Sequence, residues 1–208
     1  MPNWCYNNIT ITGDKNNLEN LKMRINLIRQ DEHTKERFFE SLIGTHPEVS
    51  RESYDAGEWY SANINHFGTK WDIGTQNVEV YDDYIQINEE TAWSPPIQGC
   101  INIALKYGVD IEMYYEEPGS DFCGKTFIDS EGNHTEEDYE YQEGVYKFEG
   151  FSEWYEREFS GNLDYYVDCL NDEEMTPTEL VSNYCGFLTE EEVKECVKAL
   201  EEEMQQQQ

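Results

Sequence analysis

The last 90 residues carry twenty-five acidic side chains against five basic ones. Residues 76–118 add nine acids and one base, and residues 1–75 eleven and eight, so the surplus grows along the chain. Like charges repel in a compact state, so any fold must hold the late carboxylates at its surface and find its cohesion elsewhere. The aromatics supply it. Fifteen Tyr, nine Phe and five Trp bury roughly 150–250 Å² each when enclosed. Acidic chains poor in aromatics stay disordered; at 14% aromatic residues this one is expected to fold. The charge itself points to solubility, a cation or a basic partner.

The same balance excludes partners. Phosphate backbones are bound by Lys and Arg clusters, so direct nucleic-acid binding is not expected, and an anionic membrane surface is disfavoured for the same reason. The opening residues lack the basic and apolar regions of a secretion signal, and no apolar run approaches the ~18 residues of a spanning helix. Cys5, Cys100, Cys123, Cys169, Cys185 and Cys196 are far apart, with no Cys-x-x-Cys pair. Reduced thiols in a cytoplasm are the expectation, with no cofactor and no metal.

Periodicity sets the elements. Residues 4–12 alternate and stop at Gly13-Asp14, a strand. Leu18, Leu21, Ile25 and Ile28 make residues 15–29 an amphipathic helix. Residues 30–75 read as an insertion with two short helices, one ending at Gly44 and one over Trp59–Phe67. Two strands at 78–81 and 84–88 flank a tight turn. Pro95-Pro96 opens a helix that stops at Gly108, and a strand follows from Val109. Strand, helix, strand, strand, helix, strand is the split β-α-β order of a ferredoxin-like sheet. Helices cover one face; the other needs solvent, a partner or further chain. Strands at Phe122–Ile128 and Thr135–Tyr141 add a β-hairpin, and from 151 the period becomes helical, with capping boxes at Thr176–Glu179 and Thr189–Glu192. The expected fold is therefore α+β: residues 1–148 form the ferredoxin-like domain with its insertion at about 30–75, and 149–208 an acidic helical extension.

Two groups of residues carry candidate chemistry. In the first, Glu136, Glu137, Asp138, Glu140 and Glu143 lie in and beside the hairpin, and Glu153, Glu156, Asp164 and Asp168 follow on the helices, along with Glu158, Asp172, Glu173 and Glu174. Strand residues two apart project the same way about 6.6 Å apart. With Asp138 and Glu140 outward and Tyr139 and Tyr141 inward, the strand would imitate a short run of nucleic-acid phosphates. The same acids also read as a solvated face, or as a cation site. Asp129, Glu131 and Asn133 match three EF-hand positions, but His134 stands where that loop needs Gly. No His-Glu-x-x-His, Gly-x-Ser-x-Gly or phosphate-cradling glycine loop occurs, so no catalytic residue is assigned.

The second group is aromatic. Gly68-Thr69-Lys70-Trp71-Asp72, Thr91-Ala92-Trp93-Ser94-Pro95-Pro96 and Glu117-Pro118-Gly119-Ser120-Asp121-Phe122-Cys123-Gly124 fall at strand ends. Trp71, Trp93 and Phe122 are expected to close one end of the sheet, with Lys70 pairing to Asp121, either as a plug or as a small-ligand pocket. With the opening Met1-Pro2-Asn3-Trp4-Cys5, these segments resemble the YubB-like family of phage and conjugative-plasmid proteins. The likeness covers about 68–124 and the first few residues. It implies a ferredoxin-like fold and a mobile-element origin, and it implies no activity.

The expected function is binding rather than catalysis: an acidic phage or plasmid protein that occupies the basic groove of a nucleic-acid-binding host protein, as an inhibitor or decoy. A nucleotide-type small-molecule binder or enzyme using the pocket near Trp71 and Trp93, and a module that pairs with itself, are the alternatives. The oligomeric state stays open.

Overall fold

The computed structural model describes residues 3–173 and 175–206. Met1, Pro2, Glu174, Gln207 and Gln208 lie outside the described residues, as do the side chains of Asp172 and Glu173. Two compact units, 1–138 and 139–208, divide the chain. The division falls ten residues before the expected boundary at 148.

In the first unit, β1 (Trp4–Gly13) alternates Cys5, Asn7, Ile9 and Ile11 inward with Trp4, Tyr6, Asn8 and Thr10 on the other face. The helix α1 (Lys15–Gln30) starts where the Asp14 carboxylate accepts from the Asn16 N–H, and buries Leu18, Leu21, Ile25 and Ile28. The insertion holds α2 (Phe38–Ile43), α3 (Arg51–Ser53), a wider turn over Tyr54–Glu58 and α4 (Trp59–Phe67). After β2 (Val78–Val80) and β3 (Ile85–Ala92) comes α5 (Ile97–Tyr107), which ends at Gly108 in a left-handed conformation. The strand β4 (Val109–Glu117) completes the split β-α-β unit, and β5 (Phe122–Ile128) and β6 (His134–Tyr139) extend it.

The sheet order is β2-β3-β1-β4-β5-β6. Its first four members, read 2-3-1-4, are the ferredoxin-like arrangement. Register is fixed by apolar rows across the helix-covered face: Ile85, Ile11, Ile111 and Ile128 are successive partners, as are Ile87, Ile9 and Met113. The insertion joins this core through α5. Phe39 stacks on Phe67 at 5.6 Å, and Gly99 permits the approach, because a Cβ there would stand 2.7 Å from the Phe39 ring. The opposite face of the sheet is polar. Asn8 donates to Asn88 (2.8 Å), Gln86 to Asn8 (3.0 Å), and Thr10 to Gln86 (2.9 Å).

The second unit is helical: α6 (Tyr141–Glu149), α7 (Phe151–Trp154), turns over 155–162, α8 (Leu163–Glu173), α9 (Pro177–Tyr184) and α10 (Glu190–Gln206). Its core is aromatic. Buried Trp154 meets Phe159 at 5.7 Å and the edge of Phe187 at 5.5 Å, and Phe159 stacks on Tyr166 at 4.9 Å. Both capping boxes form: Thr176 and Thr189 exchange hydrogen bonds with Glu179 and Glu192.

One expected element is corrected. The strand expected to reach Tyr141 ends at Tyr139, and Glu140 becomes the N-terminal cap of α6. Tyr141, Val145 and Phe148 fall at helical spacing, and burying Val145 in the second core outweighs further pairing.

Candidate functional site

At one end of the sheet, β1 begins opposite the end of β3, so Trp4 pairs with Ala92. The next residue, Trp93, adopts a left-handed backbone (φ 71°), which costs a bulky residue roughly 1–3 kcal/mol. Its surroundings hold it there. The Trp93 N–H donates to the Asn3 carbonyl (3.0 Å), Thr91 Oγ1 donates to the Ser94 carbonyl (2.7 Å), and Ser94 Oγ donates to the Gly68 carbonyl (2.7 Å). Gly68 (φ 87°) admits this contact, since a Cβ there would meet the Pro95 carbonyl at 3.1 Å.

This turn places Trp93 beside Lys70. The ammonium lies 4.5 Å from the Trp93 ring, 4.6 Å from Trp71 and 5.9 Å from Tyr60. Each such contact contributes about 0.5–2 kcal/mol. Trp4 adjoins Trp71 at 5.9 Å with a 43° tilt. Trp71, Trp93, Tyr60 and Trp4 are all 38–45% exposed. An open groove of about 420 Å³ runs from Trp4 and Trp71 along β3, beyond the point where β2 stops pairing at Val78–Ile87. Glu36, Glu89, Glu90 and Asn77 also line it. Burial raises the Glu89 carboxyl above its ordinary value.

Asp72 borders the same groove but has a structural task. Its carboxylate accepts from the N–H groups of Phe39, Glu40 and Ile73, each at 2.8 Å, and so caps α2. Burial pushes it up to about 6 against the pull of those donors.

The expected aromatic pocket is rearranged. Lys70, Trp71 and Trp93 come together, and the rings of Trp71 and Trp93 face the Lys70 cation. Asp121 occupies a left-handed position after the Pro118–Ser120 turn, and Phe122 is half-buried against Tyr115 at 6.2 Å. Sequence reasoning missed Tyr60 and the groove carboxylates. Trp4 had a signal, since antiparallel pairing of the first and third strands brings it to the end of β3.

The acids lie on several elements. Glu136 and Asp138 share one side of β6, and the Tyr115 hydroxyl reaches both, at 2.8 Å from Glu136 and closer to Asp138. Glu137 alternates to the other side. Glu140 leaves the strand, so the expected phosphate spacing between Asp138 and Glu140 is not formed; Glu136 and Asp138 are the strand pair instead. Tyr139 packs on Phe148 at 5.4 Å, and Tyr141 donates to Glu158 at 2.9 Å. Glu143 is half-buried in the first turn of α6. Glu153 and Glu156 are exposed on and after α7. Asp164 and Asp168, also exposed, share a stripe of α8. In the turn between β5 and β6, Asp129 accepts from the Glu131 and Asn133 N–H groups and from Asn133 Nδ2, so it shapes the turn.

Residues 67–158 match the family described as the ferredoxin-like domain in Api92-like protein. The ferredoxin-like assignment of the sheet therefore stands on both topology and this Api92-like match. The crystal structure of the protein Api92 from Yersinia pseudotuberculosis aligns over 68% of this chain and 98% of that one, at 10% identity and a TM-score of 0.43. No curated protein matches the chain. Among the described residues, no helix is long and apolar enough to cross a membrane.

Proposed function

We propose that the chain is a non-catalytic acidic protein of a phage or conjugative plasmid that binds a basic, nucleic-acid-binding protein in the host cytoplasm and presents carboxylates where that protein expects phosphates. One observation carries this reading. The unit 139–208 holds nineteen acidic and four basic residues around a core of aromatic and aliphatic side chains. Its folding draws on that core, so the charge is left for solvent or a partner. Clustered charge of one sign steers a complementary partner and speeds association, with strong salt sensitivity.

The non-catalytic part of the reading is supported by the state of four of the thiols. Burial pushes Cys5, Cys100 and Cys196 up to about 12 and Cys185 to about 11, so these thiols stay protonated. The mobile-element part rests on the YubB-like resemblance of residues 68–124.

The test is capture from bacterial lysate by the full chain, compared with a Glu153→Lys, Glu156→Lys, Asp164→Lys, Asp168→Lys variant under stepped salt. The reading expects basic nucleic-acid-binding proteins on the wild type, released by rising salt and absent from the variant. Equal retention by both proteins would sink it.

A further inference from the structure

We infer that the groove at the aromatic end of the sheet is the recognition point for one arginine side chain of the basic partner. The inference rests on the proposed function for the existence of a basic partner. It assigns the decisive contact to residues of the sheet unit.

Three observations lead there. First, the protein itself shows that these rings accept a cation, because Trp71 and Trp93 hold the Lys70 ammonium at 4.6 and 4.5 Å. Second, the rings are left 38–45% exposed although each is large and apolar, and tryptophan and tyrosine exposed as a group are the usual anchors of protein interfaces. Third, the groove beside Trp4 and Trp71 is lined by the carboxylates of Glu36, Glu89 and Glu90. Glu36 already accepts from Gln76 at 2.7 Å. Glu89 and Glu90 are successive residues of β3, so they project to opposite sides of the strand, beside the 73–77 segment whose Asn77 hydrogen-bonds Glu89.

Glu36, Glu89 and Glu90, with Asp72 beside them, outnumber the neighbouring cation, Lys70 on Trp71, and leave the groove negative. A planar guanidinium meets both halves of this arrangement at once. It stacks on indole faces and presents a fork of N–H donors to carboxylates, whereas an ammonium ion offers a point charge and no plane. Burial disfavours the ionised form of Glu89 although Asn77 hydrogen-bonds it, and an adjacent cation favours that form further.

The experiment titrates the full chain with an acetylated nonapeptide of alternating glycine and arginine, and with its lysine and citrulline counterparts, by calorimetry. Four proteins are compared: wild type, Trp71→Ala, Glu89→Gln with Glu90→Gln, and Asp164→Asn with Asp168→Asn. The inference expects the arginine peptide to bind tightest and citrulline weakest. It expects either groove variant to lose about tenfold or more in affinity, and the helical variant to lose about threefold or less. Should Trp71→Ala fold poorly, Glu90→Lys, at an exposed position, replaces it with the same expected loss. Unchanged affinity in the groove variants, or equal binding of citrulline, overturns the inference. If affinity then falls only in the helical variant, the basic-partner reading survives alone. If the arginine peptide does not bind at all, both fail.

Discussion

Tyr115 reaches Asp138 across Gly124. The three residues lie on neighbouring strands β4, β5 and β6, and Gly124 pairs directly with Tyr115. A Cβ on Gly124 would stand 2.5 Å from Tyr115 Cζ and 2.6 Å from Asp138 Oδ1. The absent side chain is thus the channel through which a buried phenol meets the surface carboxylates Glu136 and Asp138. Burial, and then those two acceptors, push the ionisation of Tyr115 well above the ordinary phenol range. Gly124→Ala should destabilise the protein by about 1–3 kcal/mol through overpacking. Tyr115→Phe in the same background should recover part of the loss by shortening the ring's reach. Urea unfolding of the two variants checks this; a loss below about 0.5 kcal/mol for Gly124→Ala would show that the strands part easily.

Asp72 sets a pH dependence with a definite sign. Its carboxyl is raised from 3.8 to about 6, so between those values the native state holds a proton that the unfolded chain has released. Stability therefore falls as pH climbs through this window, by an amount on the order of 2–3 kcal/mol. The capping carboxylates of Glu179 and Glu192 and the turn-forming Asp129 are shifted the other way, so their contribution is lost as pH drops through their lowered values. The melting temperature should consequently peak in mild acid. In Asp72→Asn the slope between pH 4 and 6 should flatten, at the cost of one acceptor at the start of α2. Parallel slopes in wild type and variant would remove Asp72 as the cause.

How far the sequence was legible follows from the reach of each interaction. Alternation in β1 and β4 and the Leu18, Leu21, Ile25, Ile28 stripe are local patterns, and they led directly to the ferredoxin-like order. The alternating acids and tyrosines of 136–141 misled, because a period of two persists for only a few residues while Tyr141, Val145 and Phe148 already spell a helix. At the aromatic end, the segments around Lys70 and Trp93 were visible as unusual sequence, but the ring contacts of Lys70 were not. Opposite charge suggested Asp121; the rings that face the cation come from α4, the 68–77 segment and the turn after β3. Such a convergence depends on tertiary packing across an insertion whose path no local period encodes.

The thiols offer a test of the cores. Five of the six cysteines are buried, and Cys169 on α8 is half-exposed. Ellman's reagent at mildly alkaline pH should titrate one thiol quickly, with the others appearing only on unfolding. Cys169→Ser should abolish the fast phase. Two or more fast thiols would mean that one of the units opens locally.

Trp154 anchors the helical unit with an unusual liability. Its side chain is fully buried, yet its indole N–H finds no hydrogen-bond partner among the described residues. Trp154→Ala should cost about 3–5 kcal/mol as a large-to-small core change. Trp154→Phe should cost much less than lost ring area suggests, because it also removes a buried unpaired donor worth about 1–3 kcal/mol. Equal losses in the two variants, measured by urea unfolding, would count against an unpaired N–H.

Charge decides the response to salt. In the unit 139–208, Arg157 already serves Glu149 at 3.4 Å and Glu158 at 3.0 Å, while Lys194 and Lys198 lie 4.0 and 3.6 Å from Glu191 and Glu202. Four bases cannot neutralise nineteen acids, so repulsion dominates the exposed surface. Salt screens both the few pairs and the many repulsions, and at ~0.15 M it limits interactions between exposed charges to about 8 Å. Exposed pairs contribute at most about 1 kcal/mol each, so their weakening is the smaller effect. The melting temperature should therefore rise by several degrees between about 0.02 and 0.2 M sodium chloride. Replacing Asp168, exposed on α8, with Asn should raise stability at low salt and shrink this dependence. A flat salt profile in the wild type would require the carboxylates to be spread too far apart to repel, and would remove the physical basis for a charged docking surface on these helices.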